Sequence, residues 1–203
     1  RKMSTTESIK DVLDHIDGSF DASVERLKAF LRIPSVSTDP AHDADTLRCA
    51  ELASEMLAGI GFRSEVVRTD GHPMVLAHHD GPGEGAPRVL YYGHYDVQPQ
   101  DPVELWDHAA FDPVVVDGPQ GERIVARGAV DDKGQVMTIV EALRAWHEVR
   151  GGPPCAVTVM LEGEEESGSP SLEPFMKEYK DALAADVCIV SDTGMWDIET
   201  PAI

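Results

Sequence analysis

"KGQVMTIVEALRAWHEVRGGPPCAVTVML", residues 133–161, is the stretch whose reading decides the architecture. Its first half places Val136, Ile139, Val140 and Leu143 on one side of a helix. The glycines and prolines of 151–154 break that pattern. "CAVTVML" at 155–161 then runs apolar on both faces, as a strand does when its sheet is covered on both sides. A covered strand fed by a helix belongs to an α/β sheet.

The alternation extends in both directions. Helices are predicted over 19–32, where Val24, Leu27, Phe30 and Leu31 share a face, and over 44–58, ending at Gly59 and Gly61. Short β-type runs follow at 64–69, 73–79 and 88–93, and "ERIVAR" at 122–127 predicts another strand. Beyond the opening stretch, 171–183 reads as a helix and "DVCIV" at 186–190 as a further buried strand. "GPGEGAP" at 81–87 is a turn without the Lys and Ser/Thr of a phosphate loop, so it is given no ligand role.

A chain of 203 residues supports one domain with a real core, or a large piece of a bigger protein. Apolar residues at 42% place it among globular chains. Seventeen basic against 37 acidic residues give a net charge of −20, which argues against nucleic-acid and anionic-membrane partners. No apolar run approaches membrane-spanning length, and the first residues are too polar for a signal peptide. Cys49, Cys155 and Cys188 lie far apart, which fits reduced thiols, and no Asn is present to accept a glycan. A cytoplasmic location is expected.

The chemistry collects at strand ends. "VLYYG" leads to His94 and Asp96, "RIVARGAV" to Asp131 and Asp132, "AVTVMLEG" to Glu164, Glu165 and Glu166, and "DVCIVS" to Asp192. Open α/β sheets bind ligands beyond the C-terminal ends of their strands. If these strands run parallel, one imidazole and several carboxylates share a crevice. Each carboxylate pair at about 4 Å then costs on the order of 1 kcal/mol in water, and more when desolvated. Arg127 and Lys133 are the only bases nearby in sequence. A divalent cation is the economical counter-charge. One imidazole with carboxylate oxygens suits Zn²⁺, with Mn²⁺ or Co²⁺ as relatives.

Each motif alone has a plainer reading. A strand-end histidine is commonly a hydrogen-bonded structural residue, Asp131-Asp132 a helix cap, Glu164–Glu166 a solvated run, and Asp192 a turn residue. Their joint occurrence at four successive strand ends favours a site. Asp96, two residues from His94, is placed to accept the second ring N–H. His78-His79 is read as structural or surface, as are His15, His42, His72, His108 and His147. Trp106 and Phe111 are read as packing beneath the rim.

"GHYDVQP", "RGAVDDKGQ", "EGEEESGS" and "SDTG", in this order over residues 93–194, resemble the motifs of the di-zinc metallopeptidases. That family, M20, includes carnosinase-type dipeptidases, acetylornithine deacetylase and succinyl-diaminopimelate desuccinylase. The wording of "DVQP" and "GEEESGS" leans toward the dipeptidase branch. The resemblance implies a three-layer αβα catalytic domain with a mostly parallel mixed sheet, incomplete in this chain. It implies metal ligation by His94, Asp131, Glu166 and Asp192, with Asp131 bridging two Zn²⁺ ions (Mn²⁺ or Co²⁺ possible). Glu165 would be the general base and Asp96 the residue that orients His94. The peptide bond between Asp131 and Asp132 would be cis. Glu164 falls where the family varies and is given no role.

Family members are longer, with an inserted smaller domain that often makes a homodimer and a last zinc-binding His near the C-terminus. Residues 1–203 are therefore expected to be the N-terminal portion of one catalytic domain, little active alone. The leading reading is a metal-dependent amide hydrolase acting on dipeptides or short peptides. A deacylase of N-acyl amino acids is the rival within the same chemistry, and a non-catalytic scaffold or metal-binding module the rival outside it.

Overall fold

The computed structural model of the chain describes residues 5–197, 199 and 200; residues 1–4, 198 and 201–203 of the expected domain lie outside the described residues. Three helices come before or between the central strands: α1 (Thr5–Leu31), α2 (Asp43–Ala58) and α3 (Lys133–Arg150). The main sheet comprises β1 (Arg63–Val67), β2 (Met74–His79), β3 (Arg88–His94), β6 (Ala156–Glu162) and β7 (Val187–Val190), in the order β1-β2-β6-β3-β7. A separate hairpin pairs β4 (Val114–Gly118) with β5 (Gly121–Val125), and a short α4 (Leu172–Glu178) follows β6.

β6 and β7 flank β3 in parallel, whereas β2 is antiparallel to both β1 and β6. Four of the five strands therefore point one way, which is the mostly parallel mixed sheet expected. Successive side chains on each strand feed opposite faces. Val75, Ala77, Val157, Val159, Leu161 and Tyr91 join the core beneath α1, α2 and α3. Met74, Leu76 and Met160 join a smaller core that α4 closes with Phe175, backed by Leu172 and Tyr179. The result is three layers, with helices on both faces of the sheet.

The helices carry the reasons for their packing. α3 lays Val136, Met137, Val140 and Leu143 on the larger core. α1 lies against α3 and is fastened to it by Glu141, which accepts from Ser23 Oγ at 2.7 Å and from Arg26 Nε at 2.8 Å. Lys133 at the start of α3 is fully buried. Its ammonium donates to the Phe30 carbonyl at 3.2 Å and the Ile33 carbonyl at 2.7 Å, where α1 ends and needs acceptors satisfied.

The structure departs from the sequence expectations at four places. α1 begins at Thr5 rather than near residue 19, because a mostly polar first half is anchored by few residues, of which Val12 is buried. "ERIVAR" forms β5 of the separate hairpin, not a strand of the sheet; its partner is the unanticipated β4. α4 stops at Glu178 instead of continuing to 183. β7 is not buried: its four residues are exposed, since it is an edge strand with β3 on one side.

Candidate metal centre

The sheet's polarity assembles the site. His94 is the last residue of β3 and stands opposite Glu162, the last of β6. Tyr92 stands opposite Val190 of β7, so Asp192, two residues further, arrives level with His94. Asp131 comes by another route. It lies in the connection between β5 and α3, and the peptide joining it to Asp132 is cis.

His94 is fully buried, and its two ring nitrogens face different ways. Nδ1 lies 3.1 Å from the Asp96 backbone oxygen and 3.4 Å from its carboxylate. Nε2 faces Asp131 Oδ1 at 3.1 Å, Asp192 Oδ2 at 3.7 Å and Glu165 Oε2 at 3.9 Å. Ligand atoms of His94, Glu165 and Asp192 all lie within 4.8 Å of one another. Glu166 turns elsewhere: its carboxylate accepts from Gln98 Nε2 at 2.7 Å. Asp96, also fully buried, accepts from the Glu165 N–H at 3.2 Å and the Glu166 N–H at 3.1 Å. The nearest partner of Nδ1 is thus the Asp96 carbonyl, while the Asp96 carboxylate holds the acidic turn.

Asp132 makes no capping hydrogen bond at the start of α3. Its Oδ2 accepts the backbone N–H of His94 at 3.0 Å. Gly93 permits that approach, because a Cβ there would sit 2.8 Å from the same oxygen. Asp132 Oδ1 is buried with no partner among the described residues, and burial pushes the carboxyl up to about 7. Glu162, fully buried, takes hydrogen bonds from the Tyr92 hydroxyl and from Ser169 Oγ, the latter at 3.0 Å. Desolvation raises its carboxyl as well, as it does those of Glu165 and Glu166.

The electrostatics have one sign. Burial works against a charge on His94, yet Asp96, Asp132 and Asp131 outweigh it and push the imidazole up to about 10. A cage that holds a proton so firmly is one that favours a cation. The two bases expected nearby are engaged elsewhere. Lys133 faces the end of α1, and Arg127 donates to the Pro99 carbonyl at 3.1 Å and lies over the Trp106 ring. Among the described residues, the site's carboxylates form ion pairs with His94 alone. The donor set, one imidazole nitrogen and several carboxylate oxygens, fits a divalent ion.

Elsewhere, His78 Nε2 lies 3.0 Å from Asp80, the acid that directly follows the His78-His79 pair, on the surface. Trp106 is half-buried and donates to the Gln100 carbonyl at 2.8 Å. Asp132 and Glu164 stand in the strand-end clusters without an assigned role, and Gln98 stands outside them. For Gln98 and Asp132 the available signal was adjacency to "GHYDV" and to Asp131.

Residues 90–203 match the profile of peptidase family M20/M25/M40. The Beta-Ala-His dipeptidase of Rattus norvegicus is 30% identical over 211 residues, covering 97% of this chain and 42% of the rat protein. The solved structure of the di-peptidase Dug1p from Saccharomyces cerevisiae superposes with a TM-score of 0.83 at 28% identity, covering 93% of this chain and 42% of that one. Human carnosine dipeptidase 1 gives a TM-score of 0.83 at 29% identity, with 92% and 41% covered. The chain thus spans less than half the length of the relatives it matches.

Proposed function

Since the chain belongs to peptidase family M20/M25/M40, we propose that the protein carrying it is a metal-dependent hydrolase of dipeptides or short peptides. The observation that carries this reading is the convergence of Asp131, Asp192 and Glu165 within 4 Å of His94 Nε2, with no Lys or Arg paired to them among the described residues. The rat relative is named for β-Ala-His, and a Saccharomyces cerevisiae relative, 27% identical, is a Cys-Gly metallodipeptidase, so these are the substrates to try first.

His94, Asp131, Glu166 and Asp192 would hold the ions, with Asp131 shared between two sites. Zn²⁺ suits this mixture of nitrogen and oxygen donors, and Mn²⁺ or Co²⁺ are its chemical relatives. Bound there, divalent ions polarise the amide carbonyl and lower the pKa of a coordinated water. The chain's own residues supply the rest. Asp96 fixes the face His94 presents and, through two N–H bonds, the direction of the acidic turn. Glu165, its carboxyl raised by burial, accepts a proton from the attacking water and returns it to the departing amine.

Residues 1–203 are read as the N-terminal portion of one catalytic domain, and a homodimer and a cytoplasmic setting belong to the same reading. The test is hydrolysis of β-Ala-His or Cys-Gly by the protein carrying this chain, stopped by chelator and restored by Zn²⁺. Glu165→Gln should lower kcat by a factor of about 10²–10⁴ while metal stays bound. Hydrolysis of acetylated or succinylated amino acids instead of dipeptides would move the protein to the deacylase reading. Metal uptake with no hydrolysis of either class would leave only a binding module.

A further inference from the structure

We propose that Glu164, the acid beside Glu165 and Glu166, is a positioning residue whose carboxylate clamps the acidic turn between two loops. The inference rests on the hydrolase reading for its consequence, but the clamp itself is a matter of geometry. Glu164 is only 5% exposed, and its carboxylate oxygens accept from backbone N–H groups. Oε1 accepts the backbone N–H of His72 at 2.9 Å, and Oε2 accepts that of Ser171 at 3.1 Å. Its backbone carbonyl accepts from the N–H groups of Ser167 at 3.1 Å and Ser169 at 2.8 Å.

One residue therefore fastens both ends of the segment 164–171 and ties it to the β1–β2 connection. That connection is itself anchored: His72 Nε2 lies 3.0 Å from the Ser37 carbonyl, and Thr69 Oγ1 donates to the His72 carbonyl at 2.7 Å. Between the fastened ends, the N–H groups of Glu165 and Glu166 reach Asp96. The approach depends on Gly71, because a Cβ at that position would lie 1.6 Å from Glu164 Oε1. A sequence that places Gly71 against a buried carboxylate makes the clamp a two-residue device. A carboxylate that accepts backbone N–H groups at two loops resists rotation of the turn between them. Without it, Glu165 and Glu166 keep their chemistry but lose their aim.

The experiment compares wild type with Glu164→Ala, Glu164→Gln and Gly71→Ala. Glu164→Ala removes both acceptors. Gly71→Ala leaves the acid in place but pushes its carboxylate aside. Glu164→Gln keeps the volume and one acceptor while turning an N–H₂ toward the other loop. In metal-free protein, amide exchange at Glu165 and Glu166 is expected to rise about tenfold in Glu164→Ala and Gly71→Ala, and less in Glu164→Gln. Exchange at Val159 and Leu161 in β6 should not change. Co²⁺ should bind about tenfold more weakly, with an altered d–d spectrum. In the protein carrying this chain, kcat should fall with KM little changed.

An acid that merely stabilises the fold would lower the melting temperature and leave the local exchange, the Co²⁺ spectrum and kcat per folded molecule as in wild type. That result overturns the proposal. If Glu164→Ala does not fold, Glu164→Gln carries the same decision, and wild-type behaviour there overturns it. Failure of wild type itself to take up Co²⁺ would count against the hydrolase reading, whereas the exchange measurement would still decide the clamp.

Discussion

Asp132 shows how much a single residue does here without touching substrate. Its carboxylate holds the His94 N–H at the point where β3 ends, and Gly93 leaves it room. Asp132→Ala leaves that N–H, in a fully buried residue, without its acceptor, which costs about 1–3 kcal/mol. Chemical denaturation should show a loss of that size together with weakened metal uptake; full stability and full uptake would mean the hydrogen bond is dispensable. Lys133 is a second such residue. Lys133→Met removes the donor that two carbonyls at the end of α1 rely on, and the expected loss is about 3 kcal/mol. A denaturation midpoint equal to that of wild type would show the ammonium contributes nothing. His94, Asp192 and the run Glu164–Glu166 could be read from sequence because each ends or follows a strand of the sheet, whereas Asp131 reaches the site from outside it. The role of Glu164 could not, because its partners His72 and Ser171 belong to loops whose meeting is a property of the fold.

At the scale of elements, Glu141 is one of three acids that fasten α1 to α3 among the described residues, beside Glu148, paired with His15 at 2.8 Å, and Asp11, paired with Arg150 at 2.8 Å. Burial works against a charge on Glu141, but the hydrogen bonds from Arg26 and Ser23 win, and its carboxyl sits below the ordinary value of 4.5. A carboxyl lowered in the folded state stabilises above the ordinary range, and that stability is lost as pH falls through the lowered value. Melting temperatures of wild type and Glu141→Gln should therefore differ most near neutral pH and converge below about 4.5. A gap that stays constant through that range would remove the ion pair from the account. The elements were legible where one face is decisively apolar, as in α3 and β6. The strand pattern of "ERIVAR" gave no sign of its partner, because pairing is settled by residues far along the chain; here it joins β4 and leaves the sheet. β7 illustrates the same limit. Val187, Ile189 and Val190 are strand formers, but composition says nothing about cover, and they are exposed at the sheet's edge.

Across the whole molecule, the parallel run of β6, β3 and β7 turns three separate stretches into one rim, and the β5–α3 connection brings a fourth. This is why motifs dispersed over residues 93–194 meet at His94. A net charge of −20 makes the surrounding field unfavourable to anions and favourable to cations. The most direct test is an anomalous difference map from crystals of the protein soaked in Zn²⁺, collected at the zinc edge. A peak bonded to His94 Nε2 with oxygens of Asp131 and Asp192 beside it is the result predicted. A map without density there, the same side chains turned to bulk water, would contradict the account.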